Sequence, residues 1–226
     1  MRAEYDRQLR ELEEELFDMG SMCQQAVAFS GAVLIGDDET LREQVCSLEM
    51  EIDKKDRQIE NICTGLLIRQ TPVAGDLRFV SAALKIVSDM ERIGDQAADI
   101  AELSRYISEK PLLEKVHISD ICCVVMNMVT DSVEALVKKD EILARKVIGD
   151  DDIADELFVR IKEELVSLIQ ENRTEPQEIL DLLMAAKYFE RVGDHAAVSY
   201  THLAVNIAEW VEFIVTGMHD DRECGH

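Results

Sequence analysis

Two five-residue segments, Glu91-Arg92-Ile93-Gly94-Asp95 and Glu190-Arg191-Val192-Gly193-Asp194, recur 99 residues apart in a chain of 226 residues. The same offset superposes Leu84 on Leu183. A repeat of that length makes each half one supersecondary unit and limits the fold to two copies of a common plan. Apolar residues recur at three- and four-residue spacing along nearly the whole chain, the period of an amphipathic helix. Glycine and proline are few, 10 and 3, and aromatics make up 5%, which favours long helices over an all-β fold.

The first half predicts helices over about 3–35, 39–69 and 74–108. Gly36 and the Asp37-Asp38 turn separate the first two, and Thr71-Pro72 stops the second because proline cannot continue the hydrogen-bond ladder. Pro111 opens a linker. The second half predicts helices over about 119–138, with Ser119 as N-cap, over 141–171 with a break near Gly149, and over 176–216 with Pro176 in the first turn. The expected fold class is all-α: two tandem three-helix bundles, residues 1–110 and 111–217, followed by a polar tail at 218–226.

Lys and Arg total 24 against 47 Asp and Glu, a net charge of −23. Such a surface repels nucleic-acid phosphates and anionic membranes, and suits cations or partners with basic patches. No apolar run reaches the length of a bilayer span, so membrane insertion is not expected. The N-terminus lacks the shape of a secretory signal, and the six cysteines form no Cys-x-x-Cys pair. Both point to a cytoplasmic protein whose thiols serve as small hydrophobes.

At about 100° per residue, Glu91 and Asp95 fall on the stripe of helix 3 that carries Leu77, Val80 and Leu84. Glu190 and Asp194 bracket the direction of Leu183 in the last helix. Carboxylates on an apolar stripe need an arginine, a proton or a metal to neutralise them. Acids four apart lie one turn apart on a single face, about 5–6 Å between β-carbons, where they repel each other and can share a cation. The second helix of each unit supplies a matching pair, Glu49 with Asp53 and Asp151 with Asp155; Asp56 and Glu60 lie on nearly the same face as the former. The eight candidate metal ligands are therefore Glu49, Asp53, Glu91, Asp95, Asp151, Asp155, Glu190 and Asp194. All-oxygen donors favour hard cations such as Mg²⁺, Ca²⁺, Mn²⁺ or iron. Gly94 and Gly193 in mid-helix imply close approach of a neighbouring helix beside the acids, and Arg92 and Arg191 read as counter-charges or surface residues.

Gln70-Thr71-Pro72-Val73-Ala74-Gly75-Asp76-Leu77-Arg78 followed by Asp89-Met90-Glu91-Arg92-Ile93-Gly94-Asp95 resembles the core signature of the PhoU family. Glu190-Arg191-Val192-Gly193-Asp194-His195 and Asn206-Ile207-Ala208-Glu209-Trp210 resemble its second copy. The resemblance implies a metal-binding regulator that restrains phosphate uptake and the phosphate-starvation response. It implies contacts with the phosphate transporter ATPase subunit and a membrane sensor histidine kinase, a homodimer, and metal clusters of iron, zinc, magnesium or manganese on the acid pairs. Two positions depart from the pattern. Gln96 stands where the second copy has His195, and Asn206 follows Asp194 by twelve residues where Asp99 follows Asp95 by four. The intervening Val198-Ser199-Tyr200-Thr201-His202-Leu203 matches a translated frame of a common sequencing-library transposon end and reads as an assembly artefact; a genuine insertion would rotate the rest of the helix by roughly 80°.

The competing readings are a di-iron carboxylate enzyme and a metal-storage bundle. The enzyme needs Glu-x-x-His on two core helices, and the chain offers one such match, Glu114 to His117, in the linker between repeats. No catalytic Ser/His/Asp or Cys/His set and no phosphate-cradling glycine loop is discernible.

Overall fold

In the computed structural model, residues 2–36, 38–69, 74–107, 110–113, 115–138, 140–171 and 175–197 are described. They form α1 (Arg2–Gly36), α2 (Glu39–Arg69), α3 (Ala74–Leu103), a 3₁₀ turn (Ser104–Tyr106), the single turn α4 (Lys110–Leu113), α5 (Ile118–Lys138), α6 (Glu141–Glu171) and α7 (Pro176–Ala196). The Thr71-Pro72 stop, Glu114, and everything from Val198 onward, including the 198–203 interruption and the continuation to Thr216, lie outside the described residues.

The equivalent helices α2 and α6 start by one device. Asp38 Oδ1 accepts hydrogen bonds from the Thr40 and Leu41 N–H groups at 2.9 and 3.3 Å. Asp140 Oδ1 accepts from Ile142 and Leu143 at 3.0 and 3.1 Å. Each cap satisfies donors that helix geometry leaves unpaired and contributes about 1 kcal/mol.

Three expected boundaries move. Ser119 does not cap α5: the Asp120 and Ile121 N–H groups bond to the His117 carbonyl at 3.2 Å, which places Ser119 inside the helix. α6 runs unbroken through Gly149, because that residue faces open space while Ala144, Val147 and Ala154 are buried on either side. α3 stops at Leu103 instead of continuing to residue 108. There the buried Arg42 guanidinium donates to the Ala101 carbonyl at 3.1 Å, and the Ser104 hydroxyl donates to the same oxygen at 2.7 Å. Satisfying a terminal carbonyl from outside the helix releases the backbone into the 3₁₀ turn.

α1, α2 and α3 pack together as one bundle, and α5, α6 and α7 as a second. The bundles meet along two lines, α3 against α7 and α1 against α5. The second contact uses glycine: a β-carbon on Gly20 would stand 2.7 and 2.8 Å from the Val133 methyls, and one on Gly31 would collide with Cys122 Sγ. One apolar core runs through both bundles, with Met19, Cys23, Met90, Ile93, Val125, Met128 and Phe189 fully buried. Burial of each such large side chain contributes roughly 1.5–3 kcal/mol. Among the described cysteines, Cys23, Cys63 and Cys122 are buried free thiols, as expected of small hydrophobes, whereas Cys46 and Cys123 are exposed. No described helix is long and apolar enough to cross a membrane.

Candidate metal centres

The predicted acids converge at two places, one in each bundle. In the first, Glu49 and Asp53 on α2 and Asp95 on α3 each bring a carboxylate oxygen within 4.8 Å of the others. Gly94 makes this approach possible: a β-carbon there would lie 3.0 and 3.2 Å from the Ile52 side chain, beside Asp53. A side chain at this position would force Ile52 to shift, in keeping with the close approach that the mid-helix glycine implied. Glu91 stays at the margin of this group. It is half-buried beside Asp95, Asp56 and Asp53, with Arg92 Nε 3.6 Å from its Oε2.

In the second centre Asp155 on α6 and Glu190 and Asp194 on α7 meet within the same 4.8 Å. Asp151 stands one turn away, and its carboxyl feels Asp194, Asp155 and Glu190. The two triplets thus divide the work differently. The first takes two acids from the second helix of its unit; the second takes two from the third.

The acids do not ride the centre of an apolar stripe. Leu77, which defines that stripe in α3, is 44% exposed, and the buried face instead follows Ala83, Ile86, Met90, Ile93 and Ala97. Glu91 and Asp95 flank this face, because the contact of α3 with both α1 and α7 turns the helix. Glu190 alone lies deep in the fold, 8% exposed. Gly193 also differs from expectation. A β-carbon there would make ordinary contacts of 3.4 Å with Met128 and 3.5 Å with Val125, so it faces α5 and does not set the distance to the acids of α6.

Burial raises Glu49, Glu91 and Asp95 in the first centre and Asp151 and Asp194 in the second, and neighbouring acids raise them further. Glu49 is raised by burial, Asp53 and Asp95. Asp95 is raised by burial and Asp53, with Arg92 opposing. Asp194 is pushed up to about 6 by burial and Glu190, against Lys187 and His195. Asp151 reaches about 7, through burial and then Asp194 and Asp155. Arg57 Nη2 lies 3.6 Å from Asp53 Oδ2 at the exposed edge of the first centre, beside the Arg92–Glu91 pair, and Arg191 is exposed.

The sequence reading gave no role to Lys187 or Asp89. Lys187 Nζ forms an ion pair with Glu190 Oε2 and stands 5.2 Å from the centroid of the Phe158 ring. Asp89, buried on α3, meets His195 Nδ1 at 3.1 Å across the seam between bundles. That contact turns a nitrogen of His195 away from the adjacent Asp194. The signal for Lys187 was available: at the repeat offset its counterpart is Ser88, so a cation appears in one copy only. His117, half of the Glu-x-x-His match, lies at the start of α5 with a ring nitrogen 2.5 Å from Glu164, apart from both centres.

The PhoU domain profile matches residues 16–104 and 118–211, one match for each repeat. The chain is 35% identical to a phosphate-specific transport system accessory protein PhoU homolog of Aquifex aeolicus over 186 residues, 82% of this chain and 84% of that protein. It is 32% identical to the corresponding protein of Clostridium acetobutylicum over 219 residues, 96% of each. The crystal structure of PhoU from Pseudomonas aeruginosa superposes with a TM-score of 0.86 at 29% identity, covering 95% of this chain and all of that one. The phosphate transport system regulatory protein PhoU from Streptococcus pneumoniae, at 24% identity and a TM-score of 0.85, shares the fold. Two repeats, two bundles and both Glu-Arg-aliphatic-Gly-Asp segments thus coincide with one family, and the chain belongs to the PhoU family.

Proposed function

We propose that the chain is a non-enzymatic, metal-binding accessory regulator of phosphate transport, an adaptor between the transporter ATPase subunit and a sensor histidine kinase. The observation that carries the metal part is the recurrence of a carboxylate triplet at the equivalent place in each repeat. The accessory role rests on relatives named as phosphate-specific transport system accessory proteins over nearly the whole chain.

The donors fit a hard cation. Every ligand atom is a carboxylate oxygen, and the carboxyls of Asp151 and Asp194 are raised by burial first and then by neighbouring acids, both of which a bound cation offsets. Magnesium, manganese and iron suit such donors better than zinc, which favours nitrogen and sulfur. Glu49, Asp53 and Asp95, with Glu91 at the margin, would hold the first ion or cluster. Asp155, Glu190 and Asp194, with Asp151, would hold the second. Bound metal supplies local positive charge and ties the second helix of each bundle to the third. The acidic surface suits a basic face on the ATPase or kinase and disfavours nucleic acid. The family resemblance adds a homodimer to this reading, and the buried free thiols favour a cytoplasmic location.

The test combines metal analysis of the purified protein with capture of the transporter ATPase before and after chelation. Asp53→Asn/Asp95→Asn should lose the metal of the first centre, and unchanged metal content would refute the site. ATPase capture that survives chelation assigns the metal a structural role; loss of capture makes it part of the signal. The di-iron enzyme reading predicts oxygen-dependent oxidation of bound ferrous iron, which this proposal does not.

A further inference from the structure

The two centres are not equivalent, because only in the second is a cation paired with a buried carboxylate of the triplet. Lys187 projects from α7 one turn before Glu190, pairs with its carboxylate, and rests against the Phe158 ring of α6. Lys162 lies over the same ring, 5.1 Å from the centroid. Glu190 is almost completely buried, with 10% of its side chain exposed against 38% for Lys187, so the pair is less open to solvent than Arg57 with Asp53, exposed 73% and 37%. The ring quadrupole favours the ammonium in that position.

The first centre has cations only at its exposed edge: Arg57 Nη2 lies 3.6 Å from Asp53 Oδ2 and Arg92 Nε 3.6 Å from Glu91 Oε2, both arginines more than half exposed. At the offset of 102 that relates Glu49 and Asp53 to Asp151 and Asp155, Phe158 corresponds to Asp56 and Lys162 to Glu60. At the offset of 99, Lys187 corresponds to the exposed Ser88. Thus an aromatic and two lysines in one copy stand where the other has two acids and a serine. The first centre therefore has Asp56 and Glu60 where the second has an aromatic ring and an ammonium.

Building on the proposed metal centres, we infer that Lys187 is a resident cation of the second centre that competes with metal for Glu190. The first centre is then the tight site. The second fills only when the ammonium is displaced, which makes it the site that responds to changing metal supply.

The experiment titrates full-length, metal-free protein with Mn²⁺ and follows the free ion by its electron paramagnetic resonance signal. Two classes of binding are expected in the wild type. Lys187→Met keeps the length of the side chain and removes its charge; it should tighten the weak class about tenfold and leave the tight class unchanged, while Lys187→Arg keeps the class weak. In an Asp155→Asn/Glu190→Gln background the effect of Lys187→Met should disappear. A weak class that Lys187→Met does not move overturns the competition, as does a gain that persists in that background, which would be a general charge effect; both leave the metal centres themselves standing. Absence of Mn²⁺ binding in the wild type and in Lys187→Met overturns both readings together. A thermal melt of each variant confirms that it is folded before titration.

Discussion

His195 Nδ1 on α7 and Asp89 Oδ1 on α3 lie 3.1 Å apart and form a polar link across the seam of the two bundles. Asp89 is 7% exposed; burial raises its carboxyl, and His195 partly opposes that. Asp89→Leu leaves the imidazole without its partner and should cost about 1–3 kcal/mol in urea denaturation. Asp89→Asn keeps an acceptor and removes the penalty of a buried charge, so its cost should be less than half as large. Equal losses for the two variants would show that the link contributes nothing specific.

The two motif glycines should respond oppositely to alanine. Alanine in a helix interior is favoured over glycine by about 1 kcal/mol. At Gly193 the added methyl meets Met128 and Val125 at ordinary contact distance, so Gly193→Ala should raise the melting temperature. At Gly94 it meets Ile52, which is 1% exposed and fixed in the core, so Gly94→Ala should lower it and weaken metal binding at the first centre. Gly20→Ala, against the Val133 methyls, should be the most damaging of the three.

Metal-free protein should lose stability as pH rises toward neutrality. Asp151 and Asp194 are raised from an ordinary 3.8 to about 7 and about 6. A carboxyl whose folded-state value is raised favours folding while it is protonated. That contribution is complete below about pH 4 and is lost as pH rises through 6 and 7. Melts between pH 5 and 8 should therefore show a fall that Asp151→Asn flattens. A pH profile unchanged by Asp151→Asn contradicts the raised value.

Metal should reverse that trend. A ligand that binds only the folded state at a hundred times its dissociation constant adds about 2.7 kcal/mol per site. Added Mn²⁺ should raise the melting temperature more at pH 8 than at pH 5, since protons compete for the same oxygens. Asp155→Asn/Asp194→Asn should abolish the part contributed by the second bundle, read by calorimetry.

The helices were legible because their apolar period is strong and the repeat fixes their number; Asp38 and Pro176 mark starts that the backbone uses. What the period could not convey was rotation. Leu77 carries the right spacing but lies beyond the face that α3 presents to α1 and α7, and only tertiary contact decides which side of a stripe is centred. Gly149 looked like a break because glycine disfavours helix locally, yet burial of its neighbours outweighs that cost. Spacing picked out eight acids, six of which fall in the two triplets, while Glu91 and Asp151 do not. Glu91 and Glu190 hold the same motif position, and only Glu190 joins a triplet. Lys187 went unnoticed because the two copies were compared for what they share. The difference between Ser88 and Lys187 carried as much information as the matching acids.

The glycine notches of α1 have a mechanical consequence. With Gly20 seated on Val133 and Gly31 on Cys122, α1 and α5 meet nearly backbone to side chain, and the interior behind them is continuous from one bundle to the other. Turning one bundle against the other would strip water-excluded surface from Val133 and Cys122, a cost close packing does not recover elsewhere. The molecule is therefore built as a stiff block, not a hinge. On the proposed function, the filling of the two centres would then be presented at one fixed spacing.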